Sequence, residues 1–288
     1  MIGTIWNTIF YYPVLNILLV FYDLLFDNLG LAIIAIAIIF RLILIPLMKR
    51  QTEMTKKMSS LKPKLDELKK KYKNNPEKLS QEQIKLYKEV GYNPLGCLVT
   101  MLPQLLILSV LIQVIRNVTI GELDGIYPFV SNLLNDGASL SINTNFWFWD
   151  LTRSYNELSG EFGRFSATAL PYLGLSVLVG ISQYFTSKFT QTMQGTAPQK
   201  NKGKKKDGGV SPEDMQQKMS SSFMFILPFT TVFIAISAPA ALSLYWAVQS
   251  FMLVFQYMSM DWDKTKKGLQ NFAMKLKKGK GFSKGSSD

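Results

Sequence analysis

Five stretches of this chain, 30–48, 93–116, 167–187, 219–236 and 240–258, are apolar almost from end to end. Each approaches the ~20 residues of helix that cross ~30 Å of hydrocarbon. A soluble core spreads its apolar residues at a helical or strand period; here they come in blocks, and 48% of the 288 residues are hydrophobic. The pattern predicts an all-α membrane protein, a bundle of five transmembrane helices with its two ends on opposite sides of the bilayer.

Basic residues in loops that flank spans are retained on the cytoplasmic side. Segment 49–92 holds 13 Lys/Arg, the 188–218 loop 7 and the 259–288 tail 8, which is 28 of the 32 in the chain. The opposite side, 1–29 with 117–166, carries only Arg153 and Arg164 against eight acidic residues. The expected topology is N-terminus outside and C-terminus cytoplasmic. The net charge of +12 then divides into roughly +16 inside and −6 outside, with Arg41 and Arg116 in or beside the spans.

The chain has no His and a single Cys97. That excludes the common zinc sites, an intramolecular disulfide and a Cys/His nucleophile pair. It also lacks a phosphate-cradling Gly-Lys-Ser/Thr loop. No cofactor, metal or enzymatic activity is expected. The first basic residue is Arg41, so neither a secretory n-region nor an Arg-rich transit face opens the sequence. A bacterial plasma membrane is the expected location.

Between the spans the composition changes. Residues 1–29 place Thr8, Tyr12, Asn16, Asp23 and Asp27 near one helical face, with Pro13 among them. This reads as an amphipathic helix lying in the outer interface, a sixth span being the alternative. In 49–92, Met54, Met58, Leu61, Leu65, Leu68 and Tyr72 alternate by four and three, and after Asn74-Asn75-Pro76 the seam resumes at Leu79, Gln83, Leu86 and Val90. A cytoplasmic hairpin of two antiparallel helices is predicted, with Pro63 requiring a kink or a late start. Segment 117–166 is acidic, Gly/Asn-rich and carries Phe146, Trp147, Phe148 and Trp149. It reads as a small external lid with aromatics suited to the headgroup level. The Lys- and Gly-rich loop within 188–218 and the 259–288 tail are expected to be disordered. Only 237–241 separates the last two spans, so those helices are neighbours joined by a tight outer turn.

Arg41 sits eight residues before Lys49, about 12 Å of helix inside the cytoplasmic end. A charge at that depth costs between ~2.5 and more than 10 kcal/mol unless hydrated or paired. Either the side chain snorkels to the interface, or it faces a water-filled recess. None of the five apolar runs contains Asp or Glu, but polar neutral residues are available for a recess: Gln104, Ser109 and Gln113; Ser176, Ser182 and Gln183; Thr230 and Thr231; Ser243, Tyr245, Trp246, Gln249 and Ser250. Each alone is accounted for by helix packing.

Several ordered motifs resemble the YidC-type membrane protein insertases across almost the whole chain. GLAIIAIAIIFRLILIPL looks like that family's first core span with its groove arginine, and SQEQIKLYKEVGYNPLGCLVTMLPQ like its cytoplasmic hairpin and second span. FWFWDLTR and ALPYLGLSVLVGISQYF are similar to its outer segment and third span, QQKMSSSFMFILPF and APAALSLYWAVQSFMLVFQ to its closing pair. The resemblance implies assistance to newly made membrane proteins entering lipid, in place of or alongside the Sec translocon. It implies a hydrated groove holding Arg41, Gln183 or its neighbour Ser182, and Trp246, with Gln104 matching the second-span glutamine. Gln249 joins this candidate groove as a polar neighbour on the last span. The implied partners are nascent membrane proteins and the bilayer, with the ribosome, through the basic loop and tail, and a targeting receptor as further candidates; DNA is not among them. Attraction of the basic segments to anionic lipid is an equal alternative to ribosomal RNA. The chain departs from the fuller family pattern in lacking a lipidated N-terminal Cys and a large external domain, and in its Lys-rich insertion before the fourth span. A small anion channel or transporter, and a non-catalytic assembly factor with an inert Arg41, are the rival classes.

Overall fold

The structure, a computed structural model, describes residues 2–73, 75–89, 96–134, 142–194 and 229–260, with 262–263, 265–267, 269–270 and 274. Of the 191–214 loop expected to be disordered, residues 191–194 instead continue a helix that begins at Leu170, carried on by the apolar Met193, which packs with Phe189 and Tyr257; the rest of it and most of the tail fall outside the described residues, as does the fourth run before 229. The chain forms two compact units, one from Met1–Leu44, Met101–Gln183 and Pro228–Met252, the other from Ile45–Thr100, Tyr184–Leu227 and Leu253–Asp288.

The first unit opens with α1 (Ile2–Trp6), a wide π turn (Asn7–Tyr11) and α2 (Tyr12–Leu24). Proline has no N–H and its ring crowds the carbonyl four residues back. Here the turn before Pro13 widens, so that the Tyr12 N–H reaches the Asn7 carbonyl five residues earlier. Pro13 therefore leaves the helix continuous, and Gly3–Leu24 is long and apolar enough to cross a membrane. The polar stripe of this helix is not a uniform solvent face. Asn16 is buried, donating to the Tyr12 and Gly125 carbonyls at 2.7 and 2.9 Å and accepting from the Tyr127 N–H at 2.7 Å.

A tight turn with Phe26 and Asp27 at positive φ leads to α3 (Leu29–Ser60), capped by Asn28, whose side chain accepts from the Leu31 N–H at 3.0 Å. Leu29–Met54 is the second helix among the described residues that is long and apolar enough to cross a membrane; Leu105–Ile120 is a shorter apolar one. The other long helices are α6 (Gly96–Ile120), α9 (Leu170–Gln194) and α11 (Ala240–Met260), with α10 described over 229–237. One core joins Leu15, Leu18 and Leu19 to Ile33 and Ile36, Val110 and Leu111, Val179, Ala241 and Tyr245. Alanines 32, 37, 240, 241 and 247 are buried in it, and small residues are what let helix backbones approach without a hydrophobic drive between spans.

The described residues of 117–166 tie the ends of these helices together. After α7 (Pro128–Leu133), β1 (Asn145–Phe146) pairs antiparallel with β2 (Trp149–Asp150) around a turn in which Trp147 has φ 54. The Phe146 ring lies so close over Gly30 that a Cβ there would be 2.2 Å from it, so α3 can begin here only with glycine. Trp149 Nε1 donates to the Pro171 carbonyl at 3.1 Å, and the Asp150 N–H to the Tyr172 hydroxyl at 2.7 Å. The N–H groups of Ala240 and Ala241, unsatisfied at the start of α11, donate to the Arg153 and Leu151 carbonyls. α8 (Tyr155–Phe162) begins with a Ser154–Glu157 capping box; Arg153 pairs with Glu157 and Glu161, and Asn156 donates to Ser237 at 2.8 Å.

Burial alone would raise the Asp150 carboxyl, but the Thr152 hydroxyl and N–H, the Thr144 hydroxyl and the Arg153 charge outweigh it and hold the group below its ordinary range. A carboxylate depressed in the folded state contributes stability that is complete above its unfolded pKa and is lost as pH falls through the folded value. Protection of the Leu151 and Thr152 amides, measured against their intrinsic exchange rates, should therefore fall on acidification below about pH 4, and Asp150→Asn should flatten that pH dependence. Protection unchanged from neutrality to strong acid would remove Asp150 from the brace.

The second unit contains the hairpin. α3 stops at Ser60, and α4 (Lys62–Lys71) restarts with Pro63 in its first turn, where a missing N–H costs nothing. α5 (Pro76–Glu89) follows a turn in which the Asn75 side chain accepts from the Lys78 N–H at 3.0 Å. Leu61, Leu65 and Leu86 form the buried seam, with Leu68 and Tyr87 against it and Gln83 buried. Val90, the end of the expected seam, lies outside the described residues. A separate cluster packs Phe189 edge-on against Tyr257 at 5.6 Å, with Met193.

Candidate functional site

Helix α3 carries Arg41 one turn beyond Ala37, on the face turned toward the rest of the first unit. The guanidinium is nearly buried, the residue being 8% exposed. Its Nη1 donates to Gln249 Oε1 at 3.4 Å, and Gln249 Nε2 donates in turn to the Ala37 carbonyl at 3.3 Å. The amide can satisfy both only in this orientation, because a reversed Gln would set its NH2 against the cation. Gln249 thus clips the arginine side chain to the preceding turn of its own helix and joins α3 to α11. Gln249 is neutral, so this contact orients the guanidinium through a dipole.

The same stretch of α11 meets α9 one residue later. Ser182 Oγ lies 3.1 Å from Ser250 Oγ, and Ser250 donates to the Trp246 carbonyl at 3.0 Å. Trp246 and Ser250 are buried, as is every residue of 240–247. α11 thus meets α3 through Gln249 and Arg41, and α9 through Ser250 and Ser182. Gln183 is half-buried beside Ser182. Gln104 belongs to α6, and its side chain lies outside the described residues.

Gln113, Ser109 and Ser176 make other contacts. Gln113 accepts from Trp6 Nε1 at 2.8 Å and donates to Asn7 at 3.4 Å; nearby, Asn117 donates to the Tyr11 hydroxyl at 2.8 Å. These groups fasten the N-terminal helix to α6. Ser109 and Ser176 hydrogen-bond back to the Leu106 and Tyr172 carbonyls of their own helices, a local satisfaction that apolar surroundings favour. The Ala37 carbonyl, which sets the Gln249 amide, carries no side-chain signal from which it might have been read.

Comparison with known proteins agrees with the motifs. The family model described as 60Kd inner membrane protein matches residues 20–267. A Treponema denticola protein named membrane protein insertase YidC is 30% identical over 247 residues, 83% of this chain and 35% of its own length. A Bacillus anthracis protein named membrane protein insertase YidC 2 is 29% identical, covering 88% of this chain and 79% of its own. Bacillus subtilis MisCA, also named a membrane protein insertase, is 28% identical over 87% of this chain and 77% of its own. The chain thus spans about a third of the Treponema relative and more than three quarters of the two Bacillus ones. With a match covering most of its length, the chain belongs to the 60Kd inner membrane protein family, the YidC-type family that its motifs resemble.

Proposed function

We propose that this protein is a membrane protein insertase of the plasma membrane, and that Arg41 is the group that draws its clients in. Five spans, with the N-terminus outside and the C-terminus in the cytoplasm, enclose a hydrated groove open to cytoplasm and lipid and closed outside. A nascent chain's short acidic tail is attracted toward the guanidinium, which lowers the cost of carrying its charges partway into the membrane. The client's own apolar helix then leaves sideways between spans. Its transfer into lipid is favourable through burial of apolar area, so no bond need be broken and no nucleotide spent.

The observation that carries this reading is a buried arginine, set in a helix apolar enough to span a membrane, whose orientation is fixed by a neutral glutamine on another helix. The shared family and the relatives named as insertases support the activity. The basic hairpin, loop and tail suit the ribosome or a targeting receptor, and the Sec translocon is a further partner.

Photo-crosslinking tests the route. A crosslinker at Leu44 or Gln183, each half-buried, should capture a stalled nascent membrane protein, whereas one at exposed Glu122 should not. Capture at Glu122 alone would place the client outside and sink the groove.

A further inference from the structure

The four aromatics of the external hairpin do two different jobs. Phe146 is buried over Gly30, and Trp149 is half-buried with its indole N–H on the Pro171 carbonyl. Trp147 and Phe148, between them, point outward at 81% and 78% exposure. Each leans on its inward neighbour: Trp147 stacks on Phe146 at 5.3 Å, and Phe148 meets Trp149 edge-on at 6.2 Å. Trp147 takes a left-handed backbone, φ 54, at the tip, a conformation bulky residues rarely adopt. Two large rings are thus held rigidly in the open, where a soluble surface would carry Asn or Gly.

Two more exposed aromatics occupy equivalent places in the chain. Phe26, 90% exposed, is in the turn just before α3, and Phe165, 83% exposed, is in the connection just before α9. The hairpin is itself bound at helix starts: Phe146 at that of α3, Trp149 and Asp150 at that of α9, and Leu151 and Arg153 at that of α11. All four rings therefore stand at one end of apolar helices, which in a membrane protein is the boundary between hydrocarbon and headgroups. The nearest carboxylate, Asp150, is turned to protein, accepting from the Thr152 N–H and hydroxyl at 3.0 and 2.7 Å.

We propose that Trp147 and Phe148, with Phe26 and Phe165, form an aromatic collar seated in the lipid interface of the outer leaflet. Aromatic rings favour this zone because an apolar body and a polarisable or N–H-bearing edge are both satisfied there. The segment bearing the hairpin is net acidic, with six carboxylates in 117–166 against Arg153 and Arg164. Seating is therefore driven by ring burial and is indifferent to anionic lipid. The collar holds the external brace against the membrane surface, independently of what the groove does; it stands or falls apart from the insertase reading.

The test uses full-length protein in vesicles with Cys97→Ser as background. Trp147→Cys, Phe148→Cys, Phe26→Cys and Phe165→Cys are labelled one at a time with an environment-sensitive fluorophore, and Gly160→Cys, exposed with open space around it, is the control. Nitroxide lipids labelled near the headgroup should quench the four collar positions several-fold more than Gly160, and aqueous iodide the reverse. Equal quenching should be seen in neutral vesicles and in vesicles containing phosphatidylglycerol. Iodide reaching 147 and 148 as readily as 160 would overturn the proposal. So would protection of both from either quencher, which would mean that protein covers them.

Discussion

Arg41→Ala should reduce insertion of clients with acidic outside tails by at least tenfold in reconstituted vesicles. Two unit charges 4 Å apart attract by about 4 kcal/mol at an effective dielectric constant of 20. A factor of ten needs about 1.4 kcal/mol, so even strong hydration of the groove leaves a large effect. Arg41→Lys should retain much of the activity, because the mechanism needs a charge more than a planar fork, although Lys cannot reproduce the Gln249 contact at the same reach. Arg41→Met keeps most of the volume without the charge and separates attraction from packing. Clients with neutral tails and strongly apolar helices should insert nearly normally in all three variants. Normal insertion of acidic-tailed clients by the Ala variant would exclude attraction as the mechanism and favour an assembly factor. Chloride or phosphate flux through vesicles that disappears in the same variant would favour a channel instead.

What the sequence revealed of this site, and what it concealed, follows from how each group is used. Arg41 was legible because a cation in an apolar run has no packing explanation. Gln249 was legible only as one polar residue among many, since spacing along α11 cannot say which neighbouring helix it faces. The contact with the Ala37 carbonyl was invisible, being made by backbone. Gln113 looked equally suited to the groove, yet its amide goes to Trp6 and Asn7; a one-dimensional list of polar residues cannot sort those that line a recess from those that staple helices. Pro63 requires a kink or a late start, and the late start is what forms, with α4 beginning at Lys62. Pro13, which lacks the N–H a helix interior uses, is accommodated by the π turn before it. Periodicity gave the leucine seam at 61, 65 and 86, because apolar positions on a solvated hairpin have only one place to go.

The N-terminal helix supplies the second large effect. On the sequence, Asn16 belongs to a polar face exposed at the membrane surface, and its replacement by Ala or Leu should then be almost silent. In the structure it is 2% exposed and bridges α2 to the 125–127 turn through one accepted and two donated hydrogen bonds. Asn16→Leu removes both contacts at once, leaving the Gly125 carbonyl and the Tyr127 N–H of a part-buried turn without that partner. A fully buried orphan costs about 1–3 kcal/mol; with Gly125 half-buried and Tyr127 exposed, a total loss of about 1–3 kcal/mol is expected, read as a fall in thermal midpoint in detergent. The turn cannot relax freely to rescue them, because Gly125 has φ +86 and the Tyr12 ring occupies the place where a Cβ would be. Asn16→Asp keeps the acceptor for Tyr127 but loses the amide donors and buries a carboxylate, so it should be rescued partly at low pH, when the protonated acid can donate to one carbonyl. Asn16→Leu should also expose the 121–128 connection to protease while leaving the Arg41–Gln249 clip untouched, since the two lie on different helix pairs. A thermal midpoint unchanged by Asn16→Leu would show that the amide faces water.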